Sequence, residues 1–431
     1  MICTYGSTFE NDGTFIIQTD SSFSNNGGGA GYYGLPAFIN NGTLRKNITT
    51  GTTVIAPDNG GVIFDQNGTL DVETGILSLQ SQFNVNGGAV FTGPGKTRVD
   101  AGTAVVNGTN TIQAGATVEL AAGSWSGLNL FTGSGTFVWS GGIMAGINTV
   151  GAGANLSILG NGTKTLNVGT LVSAGQGLWA GTGPVSCTYG SIFENDGTFT
   201  VQNDSAFSNN GSGSGYYDLP AFVNHGTFRK NTTTGTTTYP LDNGGVAFNN
   251  TGTVDLQSGS LAINGNYALA GSPQLKLVLG GIDPGTQFSQ ETFAGAATLG
   301  GMLSVTLTNG FTPTNGQSFT LATYNSSAGQ FSATQFPPLP VISKWQLTYN
   351  PGSLLLQVVP SAAFQSASLT NGNFQFVFSG QTGSSCLIQV STNLLNWVPL
   401  FTNAPFNGTL NYVDPQTPQV PVRFYRATIL P

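Results

Sequence analysis

The chain has 431 residues, of which only 7% are charged and 39% hydrophobic, with 63 Gly and 28 Phe. So much apolar content excludes a disordered chain, and so many turn-forming residues with so little charge point to an all-β protein. Lys and Arg number 11 and the net charge is −7, so no basic patch exists: nucleic acid is excluded as a partner, and anionic membrane surfaces are poor ones.

The chain opens MICTYGSTFENDG, with neither the basic start nor the apolar core of a signal peptide. No stretch approaches the roughly 18 apolar residues of a membrane-spanning helix, so no membrane insertion is expected. Residues 3–75 return as residues 187–259 without a gap, at an offset of 184 (187 − 3), and most positions are identical. The first residues already lie inside this repeat. The chain is therefore read as the C-terminal portion of a longer protein whose export signal lies upstream, with an extracellular or cell-surface location.

Within each copy a short signature recurs: an apolar residue, Asn or Asp, Gly-Thr, and another apolar residue. The turn glycines are Gly13, Gly42 and Gly68, then Gly197, Gly226 and Gly252, spaced 29 (42 − 13) and 26 (68 − 42) in both copies. Asn-Gly and Asp-Gly supply positive φ at little cost, which marks each site as a turn between strands. Hairpin meanders turn about every 8–12 residues. The longer spacing fits one coil of a right-handed parallel β-helix carrying a loop.

At roughly 20–25 residues and 4.8 Å per coil, 184 residues make about eight coils. That sets Cys3 and Cys187 about 40 Å apart, against the roughly 7 Å a disulfide allows. Free, buried thiols are expected. Phe9, Phe15, Phe23, Phe38 and Phe64 are Phe in both copies and are expected to stack as internal ladders. Ile39/Val223, Leu44/Phe228, Leu70/Val254 and Val72/Leu256 differ but stay apolar, as inward-facing positions do. Arg45-Lys46 and Arg229-Lys230 read as solvated edge residues, with pairing to a nearby Asp left open.

The solenoid is expected over residues 1–266, about 12 coils forming a rod roughly 50–60 Å long. Residues 267–360 change spacing, with alternating strands and Asn-Gly and Pro-Gly turns, and read as a β-rich cap over the open end. Residues 361–431 read as six or seven short strands of a small fibronectin- or immunoglobulin-like β-sandwich, with Trp397 as a core aromatic. A monomer is expected.

The NDGTF, NNGTL and WSGG patterns resemble the β-helical passenger repeats of large secreted bacterial proteins of the autotransporter and haemagglutinin type. The run TFAGAATLGGMLSVTLTNGFTPTNGQSFTLATY resembles the segment that ends such repeats. The tail CLIQVSTNLLNW…YVDPQTPQVPVRFYRA resembles a C-terminal β-sandwich of exported proteins from Verrucomicrobia- and Planctomycete-like bacteria. No outer-membrane barrel pattern is seen, so self-transport is not carried over from the resemblance. The resemblance implies a secreted or surface-displayed protein.

Residues that could carry chemistry are few. His225 is the only His, and the first copy has Asn41 in its place, so it reads as a turn residue. One His and three scattered Cys do not make a zinc cluster, and no calcium-loop motif occurs, so no metal or cofactor is expected. Parallel β-helices that cleave polysaccharides need converging carboxylates, and this chain has neither an Asp-Asp dipeptide nor Gly-His-Gly. Acids kept in both copies, such as Glu10/Glu194 and Asp12/Asp196, suit turn capping.

The loops NNGGGAGYYGLPAF and NNGSGSGYYDLPAF place Tyr32, Tyr33, Tyr216 and Tyr217 after a Gly run, where aromatic faces suit sugar rings or partner proteins. Trp125, Trp139 and Trp179 fit either a similar platform or inward strand positions. The expected function is that of a non-catalytic structural and adhesive scaffold that contacts extracellular polysaccharide or cell-envelope components. A polysaccharide-active or carbohydrate-binding β-helix is the alternative.

Overall fold

The protein is described by a computed structural model covering residues 1–27, 34–211, 218–265, 267–340, 343–380, 382–383, 385–403, 405–420 and 422–430. It is 56% strand and 2% helix. Two compact units divide it: Met1–Val278 with Asp283–Ser304 and Ala322–Gln335, and Leu279–Ile282 with Val305–Leu321 and Phe336–Pro431.

In the first unit the chain winds as a parallel β-solenoid of about 12 turns. Short strands, mostly of four residues, follow one another three to a coil, and each lies in register on its counterpart in the coil before. One face stacks Thr8–Asn11, Ala37–Asn40, Ile63–Gln66 and Gln82–Val85. A second stacks Thr14–Ile17, Thr43–Lys46, Thr69–Val72 and Val90–Thr92. The third begins with Thr52–Ile55, Ile76–Leu79 and Lys96–Val99. Coils of 29 and 26 residues in the first copy give way to coils of 19 to 23 (Phe64 to Phe83, Gln82 to Thr103, Ile147 to Thr170).

Parallel pairing continues beyond residue 266. Gln274–Leu279 lies on Thr253–Leu256, and Gln290–Phe293 lies on Ser260–Ile263. Ala333–Gln335 lies on Met302–Leu307. An antiparallel hairpin of the kind read for residues 267–360 is found in the second unit, between Ser343–Asn350 and Ser353–Pro360.

The two copies do not sit on the same faces. Eight successive pairings lead from Thr14–Ile17 to Ile192–Asn195. Yet Ile192–Asn195 is the copy of Thr8–Asn11 (8 + 184 = 192), not of Thr14–Ile17. On the third face the registers run in eight steps from Thr52 to Thr227, 175 residues (227 − 52). Thr227 is the copy of Thr43, and the remaining nine of the 184 equal the step from Thr43 to Thr52, one strand further. The repeat is thus eight coils plus one strand, and equal sequence faces a different side of the coil.

The signature glycines have another cause than the one read from sequence. Gly13, Gly42, Gly68, Gly197, Gly226 and Gly252 are absent from the positive-φ glycines. Instead they stack. A Cβ on Gly42 would overlap the carbonyl oxygen of Gly13, one on Gly68 that of Gly42, and one on Gly226 that of Gly197. Those same carbonyls accept the ladder bonds from Thr43, Thr69 and Thr227 N–H at 2.7, 2.7 and 2.8 Å. Except at Gly13, where an added Cβ meets nothing within 4 Å, glycine is needed because the preceding coil approaches too closely for a side chain.

Inside the turns, Asn11 Nδ2 donates to Asn40 Oδ1 at 2.6 Å and Asn40 Nδ2 to Gln66 Oε1 at 2.9 Å. The second copy repeats this through Asn195, Asn224 and Asn250, each step at 2.7 Å. Phe38 stacks on Phe64 and Phe64 on Phe83 at 5.4 and 5.5 Å between centroids, and Phe193, Phe222 and Phe248 stack at 5.2 Å per step. These ladders place like side chains over like, so each layer repeats the packing of the last. Cys3, Cys187 and Cys386 are free and buried.

Lys46 and Lys230 are not solvated. In the strand TLRK, side chains alternate, and Lys46 points inward with Leu44. Lys46 Nζ bonds Asp20 Oδ1 and Thr49 Oγ1, both at 2.7 Å, and Lys230 Nζ bonds Asp204 Oδ1 and Thr233 Oγ1 at the same distance. Arg45 and Arg229 do face outward, and pair one coil on with Asp71 and Asp255 at 2.8 and 2.9 Å.

In the second unit, Ala363–Thr370, Asn373–Ser379 and Thr409–Asp414 form one antiparallel sheet, and Ser385–Ser391, Val398–Asn403 and Phe424–Leu430 another. Phe376, Phe378, Cys386, Ile388 and Phe406 form the buried core. Trp397 is outside it. It precedes an edge strand and is half-buried, with Arg426 Cζ 4.4 Å from its ring centroid and its Nε1 donating to Leu394 O at 3.1 Å. The indole finds a partner for its N–H and a cation for its face there, neither of which the apolar core offers.

Alanine substitutions separate the two explanations of the signature glycines. Gly226→Ala should cost about 1–3 kcal/mol through overpacking. Gly13→Ala, with nothing within 4 Å of the added Cβ, should fall within about 0.5 kcal/mol of wild type. Urea unfolding midpoints measure both, and equal losses at the two sites would refute the stacking account.

Candidate functional site

Tyr32, Tyr33, Tyr216 and Tyr217 lie outside the described residues. The roots of their loops are described and are built alike. Asn25 Nδ2 donates to Asn59 O at 2.9 Å, and Asn59 Nδ2 returns a bond to Asn25 O at 2.8 Å. Asn25 Oδ1 also accepts from Gly27 N–H at 2.9 Å. Asn209, Asn243 and Gly211 repeat this clasp at 2.8 to 2.9 Å. Asn59 and Asn243 hold φ of 53° and 52°, a left-handed conformation that Asn tolerates. Each loop therefore leaves a rigid coil through a two-asparagine lock.

Beside the first root lies an open groove of about 610 Å³, running across three coils. Pro57 and Gly60 line one end, Gln80, Ser81 and Gln82 the middle, and Thr103 and Val105 the other end. Its polar groups are neutral amides and hydroxyls, and no carboxylate is among its lining residues. No motif marked these positions, because they meet only through coil stacking. Trp125, Trp139 and Trp179 are fully buried and so take the inward strand positions, not a surface platform.

The ionisable groups of the duplicated block mostly satisfy one another. Bonds from Lys46 and Thr49 hold the Asp20 carboxyl below its ordinary value. At Asp204 burial raises the value, and the bonds from Lys230 and Thr233 more than offset it. Burial lowers Lys230, with Asp204 opposing. Lys164 is wholly buried, its Nζ donating to Gly160 O and Gly183 O at 3.0 and 3.3 Å, and burial brings its amine down to about 8. His225 lies in its turn as expected, but stacking brings it against Glu194 and Asp196. The Asp196-to-His225 interval of 29, equal to the coil length, was the available signal for that meeting.

Glu291 is an acid buried in the solenoid. It lines a small cavity with Asn250, Tyr267, Leu269, Leu275 and Leu299, and its Oε1 has no hydrogen-bond partner. Burial pushes its carboxyl up to about 8. No second carboxylate is among the residues lining that cavity, so the paired-acid arrangement of glycoside cleavage is not assembled there.

Neither a protein-family model, nor a curated protein, nor a solved structure matches this chain. The fold itself defines a β-helical repeat protein.

Glu291 makes stability depend on pH. Its value rises from 4.5 to about 8 on folding, so between those limits the folded chain holds a proton that the unfolded chain has released. The contribution is complete below pH 4.5 and is lost as pH rises through about 8, at up to about 1.4 kcal/mol per unit. Glu291→Gln should flatten this slope and exceed wild type in stability above that range. Urea midpoints across the window give the answer, and parallel profiles for the two proteins would show that Glu291 is not the group.

Proposed function

We propose that this chain is a non-catalytic structural and adhesive protein of the cell exterior. The solenoid is its scaffold, and its loops make contact with carbohydrate or protein. The observation that carries this reading is the fate of the charged groups in the duplicated block. Lys46–Asp20 and Arg45–Asp71 recur as Lys230–Asp204 and Arg229–Asp255, each tying one segment of the stack to another. Charges used twice over as braces suit a scaffold better than a single active centre.

Extracellular polysaccharide is the favoured contact. The neutral amide and hydroxyl lining of the groove suits sugar hydroxyls, and the adjacent loop carries Tyr32 and Tyr33. The likeness of the NDGTF and NNGTL repeats to passenger repeats of secreted bacterial proteins supports an exported location. So does the likeness of the tail to exported Verrucomicrobia- and Planctomycete-type sandwiches. The roots of the two tyrosine loops lie one strand apart around the coil.

A glycan array with the full chain tests the reading. Binding should appear without release of reducing ends or unsaturated sugars. Tyr32→Ala with Tyr33→Ala should remove one class of binding sites, and the quadruple variant including Tyr216→Ala and Tyr217→Ala should lose binding. Undiminished binding by the quadruple variant would leave the loops as spacers, and product release would replace adhesion by catalysis.

A further inference from the structure

One position where the copies differ changes the chemistry of a turn. In the first copy, Asn41 Nδ2 donates to Glu10 Oε1 at 2.8 Å and to Asp12 Oδ1 at 2.9 Å. Its Oδ1 accepts from Asn67 Nδ2 of the next coil at 2.9 Å. The amide supplies protons to both carboxylates, and the group is satisfied.

In the second copy His225 stands where Asn41 does. Its Nε2 lies 3.2 Å from Glu194 Oε1, and the ligand atoms of Glu194, Asp196 and His225 all lie within 4.8 Å of one another. Its Nδ1 lies 2.8 Å from Thr251 Oγ1. The Thr251 hydroxyl also lies 3.3 Å from Asn224 O, a longer contact than the one to the ring. Through Nε2 the ring can serve only one of the two carboxylates, whereas the Asn41 amide donates to both. A cation set between Nε2 and the two carboxylates would be attracted by all three ligand atoms.

We propose that Glu194, Asp196 and His225 bind a divalent first-row transition-metal ion, and that Glu10, Asp12 and Asn41 do not. One imidazole with two carboxylates suits ions such as Zn²⁺ or Cu²⁺, whereas Ca²⁺ takes about six to eight oxygens. Bonds of about 2.0–2.2 Å need ligand atoms about 3–4 Å apart. The side chains of Glu194 and His225 are 31% and 45% exposed, so small rotations reach that geometry. The backbone beneath is held by the in-register Asn195–Asn224–Asn250 stack. Thr251 is a positioning residue, since it orients the ring through Nδ1 as outer partners of metal-bound His commonly do.

The repeat supplies its own controls. Calorimetric titration of Zn²⁺ into the full chain should show one site. His225→Asn installs the residue that the first copy already tolerates, and should abolish it. Asn41→His should raise the stoichiometry from one to two. Thr251→Val should weaken binding on the order of tenfold. His225 is the only His, so Cu²⁺ bound here should show one imidazole nitrogen in its electron paramagnetic resonance spectrum. Zn²⁺ heats that are absent, or equal in wild type and His225→Asn, overturn the proposal. So does a His225 ring seen by NMR to titrate as an imidazolium paired with Glu194 without responding to Zn²⁺, since the cation is then a proton. Should Asn41→His fail to fold, the comparison of wild type with His225→Asn still decides.

Discussion

In-register stacking of parallel strands is the constraint from which the rest of the solenoid follows. Each coil donates and accepts its backbone bonds along the stacking direction, so a residue meets its own counterpart one coil away. Phenylalanine lies on phenylalanine, asparagine amide on asparagine carbonyl, glycine on glycine. Any side chain that suits such a column is favoured at every level, and any that does not disturbs two neighbours at once. The signature glycines show how tight this is: the obstacle to a Cβ is the carbonyl oxygen of the coil below.

Stacking also governs charge. A lysine on an inward strand position would be costly to bury alone. Both Lys46 and Lys230 reach a carboxylate, a threonine hydroxyl and a backbone carbonyl instead. The braces link residues 26 apart in the chain, a separation set by coil winding. Where the braces are complete the surface offers little chemistry. His225 stands apart because a histidine in an asparagine column withdraws a donor that the neighbouring carboxylates require.

The offset of eight coils plus one strand shows that the duplicated block is self-contained. It carries its own glycine, asparagine and phenylalanine columns and works on whichever face it begins. Phe193 and Phe199 are fully buried, whereas Phe9 and Phe15, in the first coil, are partly open. Local sequence makes the coil, and neighbouring coils decide how much of it is covered.

Composition pointed to an all-β chain, and repeat spacing to parallel coils in its first part, because a turn every 26 or 29 residues has no hairpin solution. Six strands of the terminal sandwich were also legible from alternation and turn residues. Burial of Lys46 could have been read from its place two residues after Leu44, but charge masked the periodicity. The cause of the glycines, the place of Trp397, the groove at Gln80–Gln82 and the meeting of Glu194 with His225 were not legible. Each depends on atoms from different coils or strands, and their distance is set by the winding rather than by neighbours in the chain.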